Sequence, residues 1–241
     1  MQKVFSSGEA VHPYTVTNVM KPGGEIKIIS EFDPYLHENI VFVGLLESVK
    51  REVAGFAEKY DQPILKKMVD TLKAGYKGGK VSTSIMLSDA MKTVSIVTCP
   101  HGARRHVTNC RPDIVMKQLW GSIEDCSVLA CVSDASEMVP FSQAVGKAVP
   151  KFSMKHDAKS DPKCTHLSFG FPGCPPTTAV SDDRLAALQV MSDATRMAQA
   201  LTEMPPNLLT TTAYKNYVKE VCADIPGVTF DTIEYDDLCA K

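Results

Sequence analysis

The sequence lacks long apolar runs and a large excess of charge of either sign. Nowhere do 18 apolar residues follow one another, and the opening MQKVFSSGEAVHPY has no apolar core, so we predict neither a membrane span nor a signal peptide. Twenty-six basic residues face 28 acidic ones, giving a formal net charge of −2. Such a balance provides no broad positive field. We therefore expect a cytoplasmic protein that binds neither nucleic acid nor membranes.

Paired cysteine motifs are also missing, because none of the eight cysteines forms a CxxC pair. Without a secretory signal they are expected to be reduced and largely buried. The segment CPHGARRHVTNC places Cys99, His101, His106 and Cys110 at a spacing that would in principle surround a tetrahedral zinc ion. It lacks the close ligand pairs of known structural zinc modules. The favoured interpretation is a polar loop with two ordinary histidines.

Short apolar runs rich in β-branched residues recur along the first 172 residues, bounded by polar residues, proline or glycine. These features predict strands. Helical spacing of apolar residues separates several of them, which predicts an α/β layered domain at about residues 14–172. The predicted strands are residues 25–30, 39–46, 81–87, 92–99, 126–132 and 166–171.

The helical segments contain two informative prolines. Residues 47–75 carry two apolar stripes, and Pro63 between them marks the start of a second helix. Residues 111–121 predict another helix. A further helix at 136–150 is expected to be broken or bent at Pro140.

A change of composition marks the end of this domain. Residues 155–178 are rich in proline and glycine and predict an irregular connection around one short strand. A long helix is predicted at about 181–203, with Ser181 as its cap and Asp182 and Asp183 in its first turn.

The stretch LTEMPPNLLTTTAY, residues 201–214, ends that helix. Pro205 and Pro206 cannot continue it, and Pro205 pushes the preceding residue out of the α region. The amide of Asn207 is expected to close a local turn. Thr210 or Thr211 then caps a new helix.

This new helix has an expected apolar face of Tyr214, Tyr217, Val218 and Val221. A Pro-Gly turn and a strand at residues 228–233 are predicted to follow. The final YDDLCAK then starts what reads as another helix without a cap. A helix, a strand and a partial helix cannot bury their own apolar surface, so we expect further chain to complete this part.

The order of helix, MPPN phrase, helix and strand resembles the domain junction of the leucyl (cytosol) aminopeptidase family. There the connecting helix ends in a phrase of the form Asn-x-Pro-x-Asn, followed by a Thr-Pro or similar helix start. The matching positions here are Thr202–Thr210; the commoner Asn at the start of the phrase is replaced, and Thr211 stands where many members have Pro. The resemblance extends from Ser181 onward, while the preceding residues agree in architecture.

The resemblance implies a macro-domain-like α/β domain at residues 1–175, a linker and connecting helix at 176–204, and the incomplete start of a metallopeptidase domain at 205–241. It also implies that the complete protein removes N-terminal amino acids from peptides, as a hexamer. Two divalent metal ions, zinc, manganese or magnesium, would assist the reaction by supplying hydroxide and polarising the scissile carbonyl.

The family's metal-binding phrase Asn-Thr-Asp-Ala-Glu-Gly-Arg is absent from this sequence. The run Asp193-Ala194-Thr195-Arg196 echoes it but lies within the predicted connecting helix, and the acidic group Glu234, Asp236 and Asp237 reads as a solvated helix start. No catalytic, cofactor-binding or metal-binding residue is therefore predicted in this chain, which is expected to be inactive alone.

Two other classes of function stay open. A macro-domain-like module would bind a nucleotide or ADP-ribose, with the glycines of AGYKGGKVS as a phosphate loop; this segment has no G-x-G-x-x-G fingerprint, and Gly78-Gly79 leads into a strand. The other class is a non-catalytic assembly or regulatory protein. The residues present do not separate it from an aminopeptidase fragment.

Overall fold

The computed structural model of the chain describes Val16 and residues 24–73, 78–100, 110–120, 125–152, 163–171 and 180–233. The strands are β1 (Glu25–Ile28), β2 (Asn39–Leu45), β3 (Gly79–Leu87), β4 (Ala90–Cys99), β5 (Cys126–Cys131) and β6 (Cys164–Gly170). The helices are α1 (Leu46–Lys59), α2 (Pro63–Thr71), α3 (Pro112–Leu119), α4 (Met138–Ala148), α5 (Asp182–Glu203) and α6 (Thr211–Cys222). These elements confirm the predicted α/β class and the six strands predicted before residue 172.

The strands form one mixed sheet in the order β1-β6-β5-β2-β4-β3. Neighbouring strands are parallel except for β3, which pairs antiparallel with β4. All six residues of the central strand β5 are buried. A parallel strand covered on both faces has no solvent-facing side, which explains why the central strands read as continuous apolar runs.

Helices cover both faces of the sheet. On one face, Phe42 of β2 shares a core with Val53 of α1 and Leu65 of α2. On the other face, Val43 of β2 shares a second core with Phe141 of α4. Successive side chains of β2 point to opposite faces of the sheet and so contribute to two hydrophobic cores, one on each face.

The two prolines act differently in the structure. Pro63 is the first residue of α2, as predicted, where its missing N–H costs nothing. The expected break at Pro140 is wrong: Pro140 is the third residue of α4, which continues to Ala148. Its missing N–H lies in the first turn, where a helical N–H has no partner four residues back. A 3₁₀ turn, Ala135–Glu137, leads into this helix.

The long connecting helix α5 lies against α4 and β1. Its start at Asp182 confirms the prediction, but the side chain of Ser181 makes no capping hydrogen bond; the Ser181 carbonyl accepts from the N–H groups of Arg184 and Leu185 instead. A Cβ at Gly146 of α4 would lie 2.7 Å from Ser192 Oγ, so glycine is what permits the close approach of α4 and α5.

The predicted strand at residues 228–233 is wrong. These residues have no strand structure and are exposed, because no described strand lies beside them to complete a ladder. The preceding turn is present: the Val228 N–H bonds to the Ile225 carbonyl at 3.2 Å, and Gly227 has a φ of +78°. Glu234, Asp236 and Asp237 lie outside the described residues, as does most of the connection at 155–178.

None of the helices in the described ranges combines the length and apolar character needed to cross a bilayer.

Candidate functional site

The junction after α5 is built as the sequence predicts. The helix ends at Glu203, and Met204 adopts an extended conformation (φ −65°, ψ 132°) ahead of Pro205. The carbonyl of Pro205 accepts hydrogen bonds from the N–H groups of Leu208 (2.9 Å) and Leu209 (3.0 Å). These bonds make a compact turn between two helices, while the turn role of the Asn207 amide stays a prediction.

Apolar side chains fix this junction to the rest of the molecule. Met204 is only 6% exposed and belongs to a third, smaller core with Val16, Phe152 and Ala200. Partly buried residues from the turn and from α6 pack against that core: Leu201, Leu208, Leu209, Ala213 and Tyr217.

The helix α6 that follows is capped but barely buried. Thr210 is its N-cap, and the Thr210 Oγ1 accepts a hydrogen bond from the Ala213 N–H at 3.1 Å, as predicted. None of its residues is buried. Of the apolar face expected for α6, Tyr217 contacts the third core, whereas Tyr214 and Val221 are exposed.

The Asp193-Ala194-Thr195-Arg196 run has a structural role in α5. Arg196 is 2% exposed, and its guanidinium donates to the carbonyls of Val149 (2.9 Å from Nε) and Gly24. Its Nη1 lies 3.4 Å from Asp193 Oδ1, and Lys151 Nζ lies 3.8 Å from the same oxygen. Arg196 thereby joins α5 to the segments before β1 and after α4.

Gln189, one turn before Asp193, closes the open edge of the sheet. Its side-chain Oε1 accepts from the Ile28 N–H at 2.8 Å, and its Nε2 donates to the Ile26 carbonyl at 3.0 Å. Both groups lie on the edge strand β1, so a single side chain satisfies backbone groups that an exposed edge would leave for another chain.

The four residues weighed as zinc ligands are described only in part. Cys99, the last residue of β4, and Cys110, before α3, are both buried. Burial raises the pKa of the Cys99 thiol well above its usual range and that of the Cys110 thiol to about 12. His101 and His106 lie outside the described residues, so the loop interpretation stays a prediction.

The phosphate-loop alternative finds little support in the geometry at Gly78-Gly79. Gly78 has a φ of +71°, and a Cβ there would lie 2.2 Å from the Thr98 carbonyl oxygen. Gly79 begins β3, so the segment leads into a strand, as predicted, and not to the N–H groups of a helix start.

A hydrogen-bonded chain of titratable groups, which the sequence analysis missed, lies at the amino ends of β2, β5 and β6. His37 Nε2 is 2.7 Å from His166 Nδ1, and His37 Nδ1 is 3.2 Å from Asp125 Oδ1. Cys164 Sγ is 4.0 Å from His166 Nε2. With one set of neutral histidine tautomers, every hydrogen-bond donor among these four side chains meets an acceptor.

The protonation states of these hydrogen-bonded side chains favour a structural role for them. Burial lowers the pKa of both His37 and His166, and burial raises the pKa of the Cys164 thiol. At neutral pH the imidazoles are therefore uncharged and the sulfur is a thiol, which is a weak nucleophile. Lys92 fixes the same region by donating to the carbonyls of Tyr35 (3.2 Å) and His37 (2.7 Å).

A cavity of about 340 Å³ lies toward the opposite ends of the same strands, between α1 and the strands β2, β5 and β6. Its lining combines aromatic residues with three charged residues of α1: Arg51, Glu52 and Lys59. Gly170, the last residue of β6, also lines it, which places the cavity toward the carboxyl ends of parallel strands. That edge is where open α/β sheets bind ligands.

No protein-family model and no curated protein matches the sequence. Solved structures do share the fold. The leucyl aminopeptidase from Leishmania major in complex with actinonin aligns with a TM-score of 0.72 and 19% identity, over 94% of this chain and 44% of that chain. The apo leucyl aminopeptidase from Trypanosoma brucei aligns with a TM-score of 0.68 and 20% identity, over 93% of this chain and 46% of that chain.

A mutant of tomato leucine aminopeptidase is a more distant neighbour, with a TM-score of 0.51 and 8% identity, over 84% of this chain and 43% of that chain. This chain thus spans less than half the length of each of these three proteins. At such identities the likeness is one of fold. The protein has the fold of the amino-terminal domain of leucyl aminopeptidases.

Proposed function

We propose that this chain is the amino-terminal portion of a leucyl aminopeptidase-like metallopeptidase. The observation that carries the proposal is the conjunction of the sheet, the connecting helix α5 and the MPPN junction in one chain, 94% of which aligns with the Leishmania enzyme. The sheet alone would support only a fold class. The junction adds a second feature, because the sequence phrase that resembles the family forms the helix stop and capped helix start in the structure.

On this proposal the chain comprises an amino-terminal domain at residues 1–175, a linker with the connecting helix at 176–204, and the start of a catalytic domain at 205–241. The complete protein would take peptides as substrates and remove their N-terminal residues. The likeness to enzymes solved in complex with actinonin and bestatin supports a peptidase. A cytoplasmic location and a hexameric assembly also belong to the proposal.

The two divalent ions that the resemblance implies find no fitting ligand set in the described residues. No group of three or more His, Cys, Asp or Glu side chains there is arranged to hold a metal ion. Asp193, which echoes the missing metal-binding phrase, is engaged with Arg196, Gln189 and Lys151. When bound, such ions would supply hydroxide and polarise the scissile carbonyl. We propose that their ligands belong to a following part of the complete protein.

The test is an aminopeptidase assay of two chains. Leucine amide or a leucyl chromogenic substrate is offered, with added manganese or zinc, to the 241-residue chain and to a chain extended through the downstream coding sequence. We expect turnover by the extended chain alone, because on this proposal the residues that hold the metal ions, and with them the nucleophile and the stabilisation of the tetrahedral intermediate, belong to the following part of the protein.

Two outcomes would contradict the proposal. Metal-dependent turnover by the 241-residue chain would show that its own Asp, Glu or His residues form a site. Failure of a folded, metal-loaded extended chain to cleave any aminoacyl substrate would instead favour the non-catalytic assembly role.

A further inference from the structure

The cavity beside α1 has an aromatic wall whose rings support one another. The ring centroids of Phe32 and Phe42 are 5.8 Å apart, and those of Phe42 and Phe56 are 5.2 Å apart with the planes at 70°. Tyr60 extends the cluster, with its centroid 4.6 Å from that of Phe56. Such packed rings have little freedom and form a preorganised apolar surface.

The carboxylate of Glu52 lies at the edge of this surface. The Glu52 carboxyl carbon and Oε2 would both be 3.1 Å from a Cβ at Gly170, so the carboxyl group lies directly on the end of β6. No hydrogen bond or ion pair links Glu52 to another side chain in the described ranges. Burial raises the pKa of Glu52, and nearby Arg51 offsets part of this effect. A cationic donor from a ligand would satisfy this carboxylate.

Positive charge lines the same cavity on the exposed side of α1. Arg51 and Lys59 are exposed, and Lys59 Nζ lies 5.1 Å from the centroid of the Tyr60 ring. Both side chains line the cavity together with Glu52. The site therefore offers one negative group near the strand ends and two positive groups nearer to solvent.

Gly55 keeps space open between these groups. It lies inside α1, where glycine disfavours the helix relative to alanine, yet a Cβ at this position would meet no atom within 4 Å. Close packing therefore does not require glycine here. Gly55 lines the cavity, and a side chain at this position would project into free space beside the charged groups. We therefore assign Gly55 the role of keeping that space open.

We propose that this cavity binds a free α-amino acid with an apolar side chain. The ammonium group would pair with Glu52, the carboxylate with Arg51 and Lys59, and the side chain would pack on the rings of Phe32 and Phe42. The cavity volume of about 340 Å³ is large enough to admit a ligand of this size. This inference does not depend on the proposed peptidase activity, because it concerns only residues of this chain.

Other ligand classes match the charges less well. A purely apolar ligand would leave the Glu52 carboxylate desolvated and without a donor. A nucleotide would bring phosphate charge to Arg51 and Lys59 but also next to the Glu52 carboxylate, which opposes binding. A zwitterion is the class that satisfies both signs of charge at once.

The experiment titrates the 241-residue chain with L-leucine and L-phenylalanine, followed by calorimetry and by NMR of the protein amides. N-acetyl-leucine, which lacks the ammonium group, and leucine amide, which lacks the carboxylate, are the matched probes, and ADP-ribose represents the nucleotide class. We expect each matched probe to bind at least roughly tenfold more weakly than leucine, with shifts confined to α1 and the end of β6. No binding of either amino acid, or tighter binding of ADP-ribose, would overturn the proposal.

Variants locate the site. E52Q keeps the shape of the side chain and is expected to weaken leucine binding roughly tenfold or more, whereas E47Q, an exposed acid on the same helix, should leave it unchanged. G55L should abolish binding by filling the cavity, and G55A should retain most of it. Circular dichroism confirms that each variant is folded. Unchanged binding in both folded E52Q and G55L would place the ligand elsewhere and refute the assignment.

Discussion

Buried polar residues carry much of the structural specificity of this protein. Arg196 is the clearest case, because an arginine on an amphipathic helix is usually solvated, yet this one is 2% exposed. Its donors meet the carbonyls of Val149 and Gly24, groups that belong to segments far apart in the sequence. A buried guanidinium with fixed partners holds those segments in one geometry.

Replacing Arg196 with methionine should lower the free energy of unfolding by about 2 to 4 kcal/mol, because two carbonyl acceptors would lose their donor in a buried site. Urea denaturation followed by circular dichroism measures the change. The control is R184M on the same helix: Arg184 is exposed and donates to the Ala135 carbonyl, so we expect a loss below about 1 kcal/mol. Equal effects of the two variants would show that burial of Arg196 contributes nothing.

The helices α5 and α6 were both predicted from their local sequence patterns, but they differ in how much of each is buried against the rest of the protein. The 22-residue helix α5 buries Leu185, Leu188 and Ala200 against other parts of the protein. The 12-residue helix α6 buries no residue and depends on its Thr210 cap and on Tyr217 at the third core. Short helices without packing are marginal in water, so α6 is the element of lowest expected stability.

Amide hydrogen exchange should therefore be faster in α6 than in α5. Replacing Thr210 with alanine removes the hydrogen bond to the Ala213 N–H and should accelerate exchange in α6 roughly fivefold, equivalent to about 1 kcal/mol. The adjacent T211A variant is the control, because Thr210 and not Thr211 is the N-cap. Acceleration of α5 or of the sheet by T210A would show that α6 unfolds together with the rest of the molecule.

In the molecule as a whole, the amino ends and the carboxyl ends of the parallel strands differ in their chemistry. The amino ends of β2, β5 and β6 hold the chain of His37, His166, Asp125 and Cys164, in which donors and acceptors meet one another. The cavity toward the carboxyl ends instead presents the carboxylate of Glu52, which makes no hydrogen bond or ion pair with the other described residues. The amino ends have a structural role in this reading, and the carboxyl ends hold the binding site that we propose, which agrees with the usual preference of open α/β sheets.

The histidine pair predicts how stability depends on pH. The pKa of His37 and that of His166 are both lowered from the ordinary value of 6.5 by burial. As pH falls below 6.5, the unfolded chain binds more protons at these sites than the folded protein does, so the free energy of unfolding should decrease toward the folded pKa values. Asp125 opposes this shift at both sites, and Lys92 adds to it at His37.

Urea denaturation at a series of pH values from about 7.5 to 5 measures this slope. A double variant, H37N with H166N, should flatten it, since the contributions of all other groups, including the oppositely acting Glu52, are common to both proteins. An identical slope in the two proteins would contradict the assignment of neutral, buried imidazoles.

Elements with local causes could be predicted from the amino-acid sequence. The central strands β2 and β5 were readable because continuous apolar runs of this length favour a strand buried on both faces. The stop of α5 was readable at Pro205 because proline cannot continue a helix and restricts the residue before it. A cap at Thr210 or Thr211 was readable because capping depends on a neighbour three residues away, and the structure shows that Thr210 is the N-cap.

Features that depend on residues far apart in the chain became visible only in the folded molecule. His37 and His166 are 129 positions apart, and nothing local to either indicates the other. The cavity combines α1 with the ends of strands that follow it much later in the sequence. In the sequence Glu52 therefore resembles any other helical acid, and only the folded structure places it beside Gly170. The predicted strand at residues 228–233 failed for the same reason: a strand needs a neighbouring strand to bond with, and only the tertiary structure supplies or withholds that partner.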